Sequence, residues 1–399
     1  MTDLPRLRLR KNEDRRLRSG HLWVFSNEVD TAATPLKVFS AGDLVEVETV
    51  RGESLGVAYV NPDSLIAARI LSRTSRKPVG KDFFMQRLRR ALALRERLYD
   101  RPYYRLAYGE SDGLPGLVVD RFGDVFVVQT NTAGMERLQG DLVAALESLF
   151  SPRAVVFKNT SSLRALEGLV PYTRVALGEW SGLVEIEEGQ GRFLVDPIEG
   201  QKTGWFFDHR DNRQALARLC RGQRVLDLFA YSGAWGISAA LAGAAHVECV
   251  DVSAAAMELA RANARLNGVE DRTQFVVEDV FDFLKRAREE RRHYDVVVVD
   301  PPAFIKRKKD ANKGVEAYRR LNQLALQVVT DGGILLSASC SFHLSRDVLH
   351  DQLRAVSRHL DRHLVFLGRG GQAADHPVHP AIPETDYLKA FICHSGRSL

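Results

Sequence analysis

Residues 224–236 read RVLDLFAYSGAWG, an apolar run that stops at a glycine-containing turn and restarts as a helix near Ser232. A turn of this kind, set between a strand and a helix, lets a ligand approach the backbone closely. Downstream the rhythm repeats. Apolar strands at Arg224–Ala230, Val247–Val252, Phe275–Val277, Tyr294–Asp300 and Gly333–Ser339 alternate with helices starting near Ser232, Ser253, Asp282 and Glu316. Strands apolar on both faces and separated by helices predict an α/β fold whose parallel sheet is covered on both sides. Such sheets bind ligands at the carboxyl ends of their strands. Asp227, Asp251, Asp279, Asp300 and Cys340 all fall at or near those ends.

The turn after the first strand lacks the G-x-G-x-x-G that cradles a pyrophosphate. It suits instead a cofactor with a cationic sulfonium and an amino-acid tail. Asp227 is placed to bond the amine end, with Phe229, Ser232 and Gly233 lining the loop. Asp251 is placed to accept the ribose hydroxyls, and Asp279 to bind the adenine amino group, with Val280 packed on the ring. Any one of these acids could equally be a helix N-cap. Taken together with the loop, they point to S-adenosylmethionine.

The fourth and fifth strands supply the chemistry. Val299-Asp300-Pro301-Pro302-Ala303-Phe304 ends the fourth, and two prolines stop a ladder and stiffen the turn that follows. Asp300 and the next carbonyl can then be held against the edge of a base, with Asp300 also counted among the expected cofactor-binding residues, although Asp-Pro also serves as a plain strand end. SASCSFH, residues 337–343, ends the fifth strand with Cys340. A cysteine there is either a small core residue or a nucleophile. Were the methyl acceptor carbon 5 of a cytosine, as the likeness of Ser-Cys-Ser to the catalytic motif of RNA cytosine-5 methyltransferases implies, it would be too weak a nucleophile to take a methyl group from a sulfonium unaided. A thiolate adding to carbon 6 makes carbon 5 enamine-like, and a base must afterwards remove the carbon-5 proton. An unperturbed thiol with a pKa near about 8.5 is only a few per cent ionised at neutral pH. A positive neighbour is therefore expected, but the sequence does not name it; Asp300 or a water is the candidate base.

Composition sets the surroundings. The 399 residues carry a net charge of +5, unevenly spread. Residues 1–105 hold 21 Lys+Arg against 13 Asp+Glu, a balance of +8, and the remainder 35 against 38. Positive charge gathered at one end suits a polyanion, because basic groups release its counterions. Lys306, Arg307, Lys308 and Lys309 follow the Asp-Pro-Pro turn and are placed for phosphates near the target, with Phe304 to stack on a flipped base. No run of about 18 apolar residues suggests a membrane span, and the basic N-terminus lacks the apolar stretch of a signal peptide. Four scattered cysteines, with no CxxC pair and no metal-ligand spacing among them or the eleven histidines, predict free thiols, a cytoplasmic setting and no metal. Cys220, Cys249 and Cys393 lie away from the motifs and are expected to be structural.

The front half reads differently. Residues 42–72 alternate apolar and polar and break at Arg51-Gly52 and Asn61-Pro62-Asp63, as short antiparallel strands of a small barrel or sandwich would. Residues 80–99 form an amphipathic helix rich in arginine. A hairpin at 111–130, a helix at 134–150 and a strand at 154–158 follow.

The motifs also resemble a known family. The C-terminal half looks like a class I methyltransferase. With GQKTGWFFDHRDNR (200–213) before it, the chain resembles the RlmI-like methyltransferases of large-subunit ribosomal RNA. GHLWVFSNEV (20–29) and the 42–72 segment resemble that family's PUA domain, a small RNA-binding barrel, and SDGLPGLVVDRFGD (111–124) its central domain. The resemblance implies a PUA-like β-barrel over 1–75, a linker helix and central α+β domain over 76–190, and a Rossmann-like methyltransferase domain with a seven-stranded, mostly parallel sheet over 191–399. It implies that Gln201, Lys202, Thr203, Gly204, Phe206 and Arg210 wall the S-adenosylmethionine site. Ser-Cys-Ser resembles the catalytic motif of RNA cytosine-5 methyltransferases, whose two-cysteine members carry Pro-Cys where this chain has Pro301-Pro302. The expected activity is cytosine-5 methylation of large-subunit (23S) ribosomal RNA. N-methylation of another base such as guanine, or an RNA-binding assembly factor without catalysis, are the alternatives. A homodimer through the front domains stays open.

Overall fold

A computed structural model describes residues 4–74, 78–305 and 307–397. The chain forms two compact units. One comprises 1–184, 196–207 and 374–385, and the other 185–195, 208–373 and 386–399. Compactness thus groups the chain differently from the stretches 1–75, 76–190 and 191–399.

The second unit is built on a seven-stranded sheet. Its strands are β1 (Arg224–Leu228), β2 (His246–Asp251), β3 (Thr273–Val277), β4 (Tyr294–Val299), β5 (Val329–Ser339), β6 (Arg362–Gly370) and β7 (Lys389–Arg397). They lie in the order β3-β2-β1-β4-β5-β7-β6. The first five are parallel, and β7 runs antiparallel to both its neighbours. The order reverses between β1 and β4, which opens the crevice where such sheets take ligands. Six helices cover it: α1 (Arg210–Ala217), α2 (Ala234–Leu241), α3 (Ala254–Leu266), α4 (Val280–Glu289), α5 (Ala311–Val328) and α6 (Arg346–His359). The two-residue period of β1 divides its side chains between the faces. Leu226 and Leu228 enter the core beneath α4, α5 and α6 with Phe283, Leu321 and Leu353. Asp227 points to the opposite face, toward α2, whose Gly236 it bonds.

Two boundaries differ from the sequence reading. α5 begins at Ala311 rather than near Glu316, because Gly314 sits inside a helix and masks its start. A Cβ at 314 would lie 2.2 Å from Ile305 Cγ1, so the glycine answers a close approach rather than a break. β5 begins at Val329, the Gly332-Gly333 pair continuing the strand it was expected to open.

In the first unit, strands Arg6–Arg8, Leu44–Glu48, Ser54–Val60, Ile66–Ser72 and Trp23–Phe25 form one sheet in that order. A bridge between Leu9 and Val29 links its two edges, as closure of a small barrel requires. Leu7, Val24, Val45, Val47 and Val60 fill it. A second five-stranded sheet runs from Tyr103–Tyr108 through Leu117–Phe122, Val125–Thr130 and Ala154–Asn159 to Tyr172–Gly178. Helix Lys81–Leu98 packs on it. Of its arginines, Arg95 is fully buried in a two-pronged ion pair with Asp112, both contacts 2.7 Å. Among the described residues no helix is long and apolar enough to cross a membrane, and no group of three or more His, Cys, Asp or Glu could hold a metal.

Candidate active site

The loop after β1 is held under strain. Phe229 (φ 60°) and Tyr231 (φ 49°) adopt the left-handed conformation that costs a non-glycine residue about 1–3 kcal/mol, and Gly233 (φ 79°) completes the turn. The surroundings enforce it. Tyr231 N–H donates to Asp251 Oδ2 at 3.0 Å, and the buried Asn263 amide donates to the Ser232 carbonyl at 3.1 Å. α2 approaches the sheet closely because residue 236 has no side chain. A Cβ there would lie 2.5 Å from Cys249 Sγ and 3.2 Å from Asp227 Oδ2.

Asp227 is fully buried. Its Oδ2 accepts the Gly236 N–H at 2.9 Å, whereas its Oδ1 has no hydrogen-bond partner. Burial, with Asp300 and Asp251 nearby, pushes its pKa up to about 8. Ser232 Oγ is likewise buried without a partner. A ligand carrying an ammonium and further polar groups would satisfy both atoms, so the residues present fit the amino-acid end of S-adenosylmethionine. Asp251 uses Oδ2 on Tyr231 and Oδ1 on Ser253 N–H at 2.9 Å. Asp279 is exposed and caps α4, accepting from Phe281 and Asp282, while Val280 enters the core. Asp279 thus caps a helix, whereas α3 is capped by Ser253 and Asp251 instead ties the loop after β1 to the end of β2.

Asp300 ends β4, the strand beside β1, in a contrasting setting. Trp235 Nε1 donates to its Oδ2 at 3.0 Å, and His209 Nε2 lies 3.2 Å from its Oδ1. The Asn212 amide bonds His209 Nδ1 at 3.1 Å, which leaves the Nε2 proton for Asp300. Burial opposes ionisation, but His209 and Trp235 outweigh it and hold the Asp300 carboxyl below its ordinary range. His209 and Trp235 stood in the quoted motifs without a role; their pairing with Asp300 spans 91 and 65 positions of chain and leaves no local signal.

Cys340 is partly exposed, whereas Ser339 and Ser341 on either side are fully buried. Alternation along the extended chain sets the two buried serines on one side and Cys340 on the other. A buried network fixes this arrangement. Ser339 Oγ donates to the Tyr318 hydroxyl at 2.9 Å, Tyr318 and Ser341 share a bond of 2.9 Å, and Ser341 Oγ accepts the Ile305 N–H at 3.2 Å. That last bond ties the turn after Asp300 to the turn holding Cys340. The other thiols are buried: burial drives Cys220 and Cys393 up to about 12 and Cys249 well above the ordinary thiol value.

Phe304 is half-buried, its ring 4.8 Å from Tyr318 and 6.4 Å from Phe281. Arg307, Lys308 and Lys309 are exposed, Arg307 pairing with Asp310 at 2.9 Å, and Lys306 lies outside the described residues. Arg210 is buried on α1 with Glu188 Oε2 at 3.5 Å, and Arg213 binds the same carboxylate at 2.6 Å. Gln201, Lys202, Thr203, Gly204 and Phe206 fall in the first unit. There Lys202, itself left-handed at φ 51°, sets its Nζ 4.6 Å from the Phe206 ring centroid, Gly204 N–H bonds the Gln201 carbonyl, and the buried Thr203 hydroxyl has no partner.

Comparison with known proteins places these features. Residues 7–73 match the PUA-like domain family, and residues 172–390, more than half of the chain, match the S-adenosylmethionine-dependent methyltransferase family. The ribosomal RNA large subunit methyltransferase I of Shewanella denitrificans is 38% identical over 97% of this chain and 98% of its own length. The Photobacterium profundum protein of the same name is 38% identical over 96% and 98%. Among solved structures, SMU.776 complexed with SAH superposes with a TM-score of 0.83 at 20% identity, covering 98% of this chain and all of that one. The S-adenosylmethionine-dependent methyltransferase from Agrobacterium tumefaciens gives 0.53 at 18% over 75% and 91%. These two show a shared fold. The chain belongs to the S-adenosylmethionine-dependent methyltransferase family, within the group named ribosomal RNA large subunit methyltransferase I.

Proposed function

We propose that this chain methylates carbon 5 of a cytosine in large-subunit ribosomal RNA, in the cytoplasm, through a covalent bond from Cys340. The observation that carries the reading is the partly exposed Cys340, flanked by buried serines on a turn bonded to the one that follows Asp300. Names of the relatives, the PUA-like front end and the basic balance of residues 1–105 support the RNA as substrate. In this reading residues 1–75 grip RNA, 76–190 brace them, and 191–399 perform the chemistry. Arg307, Lys308 and Lys309, with Lys306, meet phosphates, and Phe304 flanks the flipped base.

Bound S-adenosylmethionine supplies an electrophilic methyl group on a sulfonium. Asp227 and Ser232 hold its amino-acid end at the strained loop of Phe229 and Gly233. Asp251 and Asp279 meet its ribose and adenine, with Val280 beside the ring. The Cys340 thiolate adds to carbon 6 of the cytosine, and carbon 5 becomes nucleophilic enough to accept the methyl group. Asp300, ionised and held by His209 and Trp235, accepts hydrogen bonds from the ring edge as charge shifts. A carboxylate held this low is a weak base, so the carbon-5 proton goes to water, and expulsion of the thiolate restores the ring.

Nucleoside analysis tests the reading. The purified protein acting on unmodified large-subunit ribosomal RNA is expected to yield 5-methylcytidine. A methylated guanosine in its place, or undiminished product from Cys340→Ala, would refute it.

A further inference from the structure

Lys389 opens β7, paired in antiparallel register with Ser339 at the end of β5. Its side chain is only 5% exposed. Its Nζ donates to the Ser341 carbonyl at 2.6 Å and to the Tyr387 carbonyl at 2.8 Å. The ammonium is thus fixed on the residue after Cys340 by a strand register that meets the residue before it. Two carbonyls take up two of its three protons and leave one N–H. A buried lysine is costly unless its charge has a use or a partner. Carbonyls provide dipoles rather than a counter-charge, and the groups whose charge raises Lys389 are Cys340 first and Asp386 second.

We infer that Lys389 is the cation that keeps Cys340 as a thiolate, ready to attack the base. The inference rests on Cys340 being the nucleophile proposed above. The thiol gives its proton to solvent, and the resulting anion is balanced by the ammonium, so no oxidant or further reactant is needed. Charged groups around the pair fit this assignment. Burial lowers Lys389 to about 8, while Cys340 and Asp386 pull it upward and Arg346 pushes it down. Below pH 8 the ammonium still predominates. Arg346 is itself tied to the Gly370 carbonyl at 2.7 Å, and Tyr318, which also senses Cys340, is an uncharged phenol raised by burial. Lys389 therefore acts through Cys340, as a positioning residue.

Alkylation of the full-length protein by iodoacetamide across pH, read at the Cys340 peptide by mass spectrometry, tests the pairing without RNA or cofactor. The wild-type midpoint is expected below the ordinary thiol value of about 8.5. Lys389→Met is expected to raise it by about one unit or more, and Lys389→Arg to leave it within about half a unit. Equal midpoints for wild type and Lys389→Met would overturn the inference. Should the methionine variant fail to fold, as loss of cofactor binding would reveal, the wild-type profile decides: a midpoint at or above about 8.5 overturns the pairing and a lower one upholds it. Methyl transfer by Cys340→Ala at the wild-type rate would remove the nucleophile role while leaving the alkylation result standing, so the two failures are distinguishable.

Discussion

Asp227 and Asp300 end neighbouring strands of one parallel sheet, yet their environments push them in opposite directions. Asp227 has one backbone donor, an unpartnered oxygen and a pKa raised to about 8. Asp300 has a side-chain donor facing each oxygen and sits below the ordinary carboxyl range. Environments that split the pKa values of like groups commonly separate their tasks. Asp227 keeps one oxygen without a hydrogen-bond partner. Asp300 is complete already and stands as a fixed negative charge.

Breaking each carboxylate should produce different losses. Asp300→Ala is expected to lower kcat by about a hundredfold or more with little change in cofactor affinity, measured by single-turnover kinetics and calorimetry. Asp227→Ala should do the reverse, weakening S-adenosylmethionine binding by about tenfold to a hundredfold, as loss of a hydrogen bond to a charged group does. Equal effects on both quantities from both substitutions would erase the distinction.

Stability sharpens it further. Between its unfolded value near 3.8 and its folded value of about 8, Asp227 keeps its proton only in the folded state. Unfolding then releases a proton, so rising pH across that window favours unfolding, by up to about 1.4 kcal/mol per pH unit. Asp227→Asn should flatten this part of the profile in denaturant titrations at successive pH values. The depressed Asp300 has the opposite sign: its contribution is present above the ordinary carboxyl range and is lost only as pH falls through its folded value. The smallest effect is expected from His209→Ala. Losing one of two donors should move the acid limb of the pH–rate profile upward by about a unit or less, leaving the rate at its plateau within about tenfold.

How much of this was legible in the sequence follows from the range of each interaction. The glycine turn and alternating apolar runs marked β1 to β5, because strand and helix periods are local. β6 and β7 were not placed residue by residue; β6 alternates half-buried and exposed side chains at the sheet edge and so lacks the uniform apolarity of its neighbours. Asp227, Asp300 and Cys340 could be singled out as candidates because strand ends converge in such sheets. The groups that tune them were not. His209 and Trp235 reach Asp300 across long stretches of chain, and Lys389 reaches the Cys340 turn through an antiparallel register of β7 that no motif announces. The sequence offered no candidate for a cation near Cys340, and only three-dimensional pairing brings Lys389 to its turn. Arg95 shows the converse, a basic residue of an apparent surface helix that the fold buries against Asp112.

The central claim is that Cys340 attacks carbon 6 of a cytosine. RNA in which the target cytidine is replaced by 5-fluorocytidine tests it directly, because fluorine at carbon 5 prevents the proton loss that frees the enzyme. Incubation with S-adenosylmethionine should give a protein–RNA adduct that survives denaturation, carries one methyl group and maps to Cys340 by mass spectrometry. Absence of any adduct from RNA whose unsubstituted form is methylated, or an adduct that persists in Cys340→Ala, would contradict it.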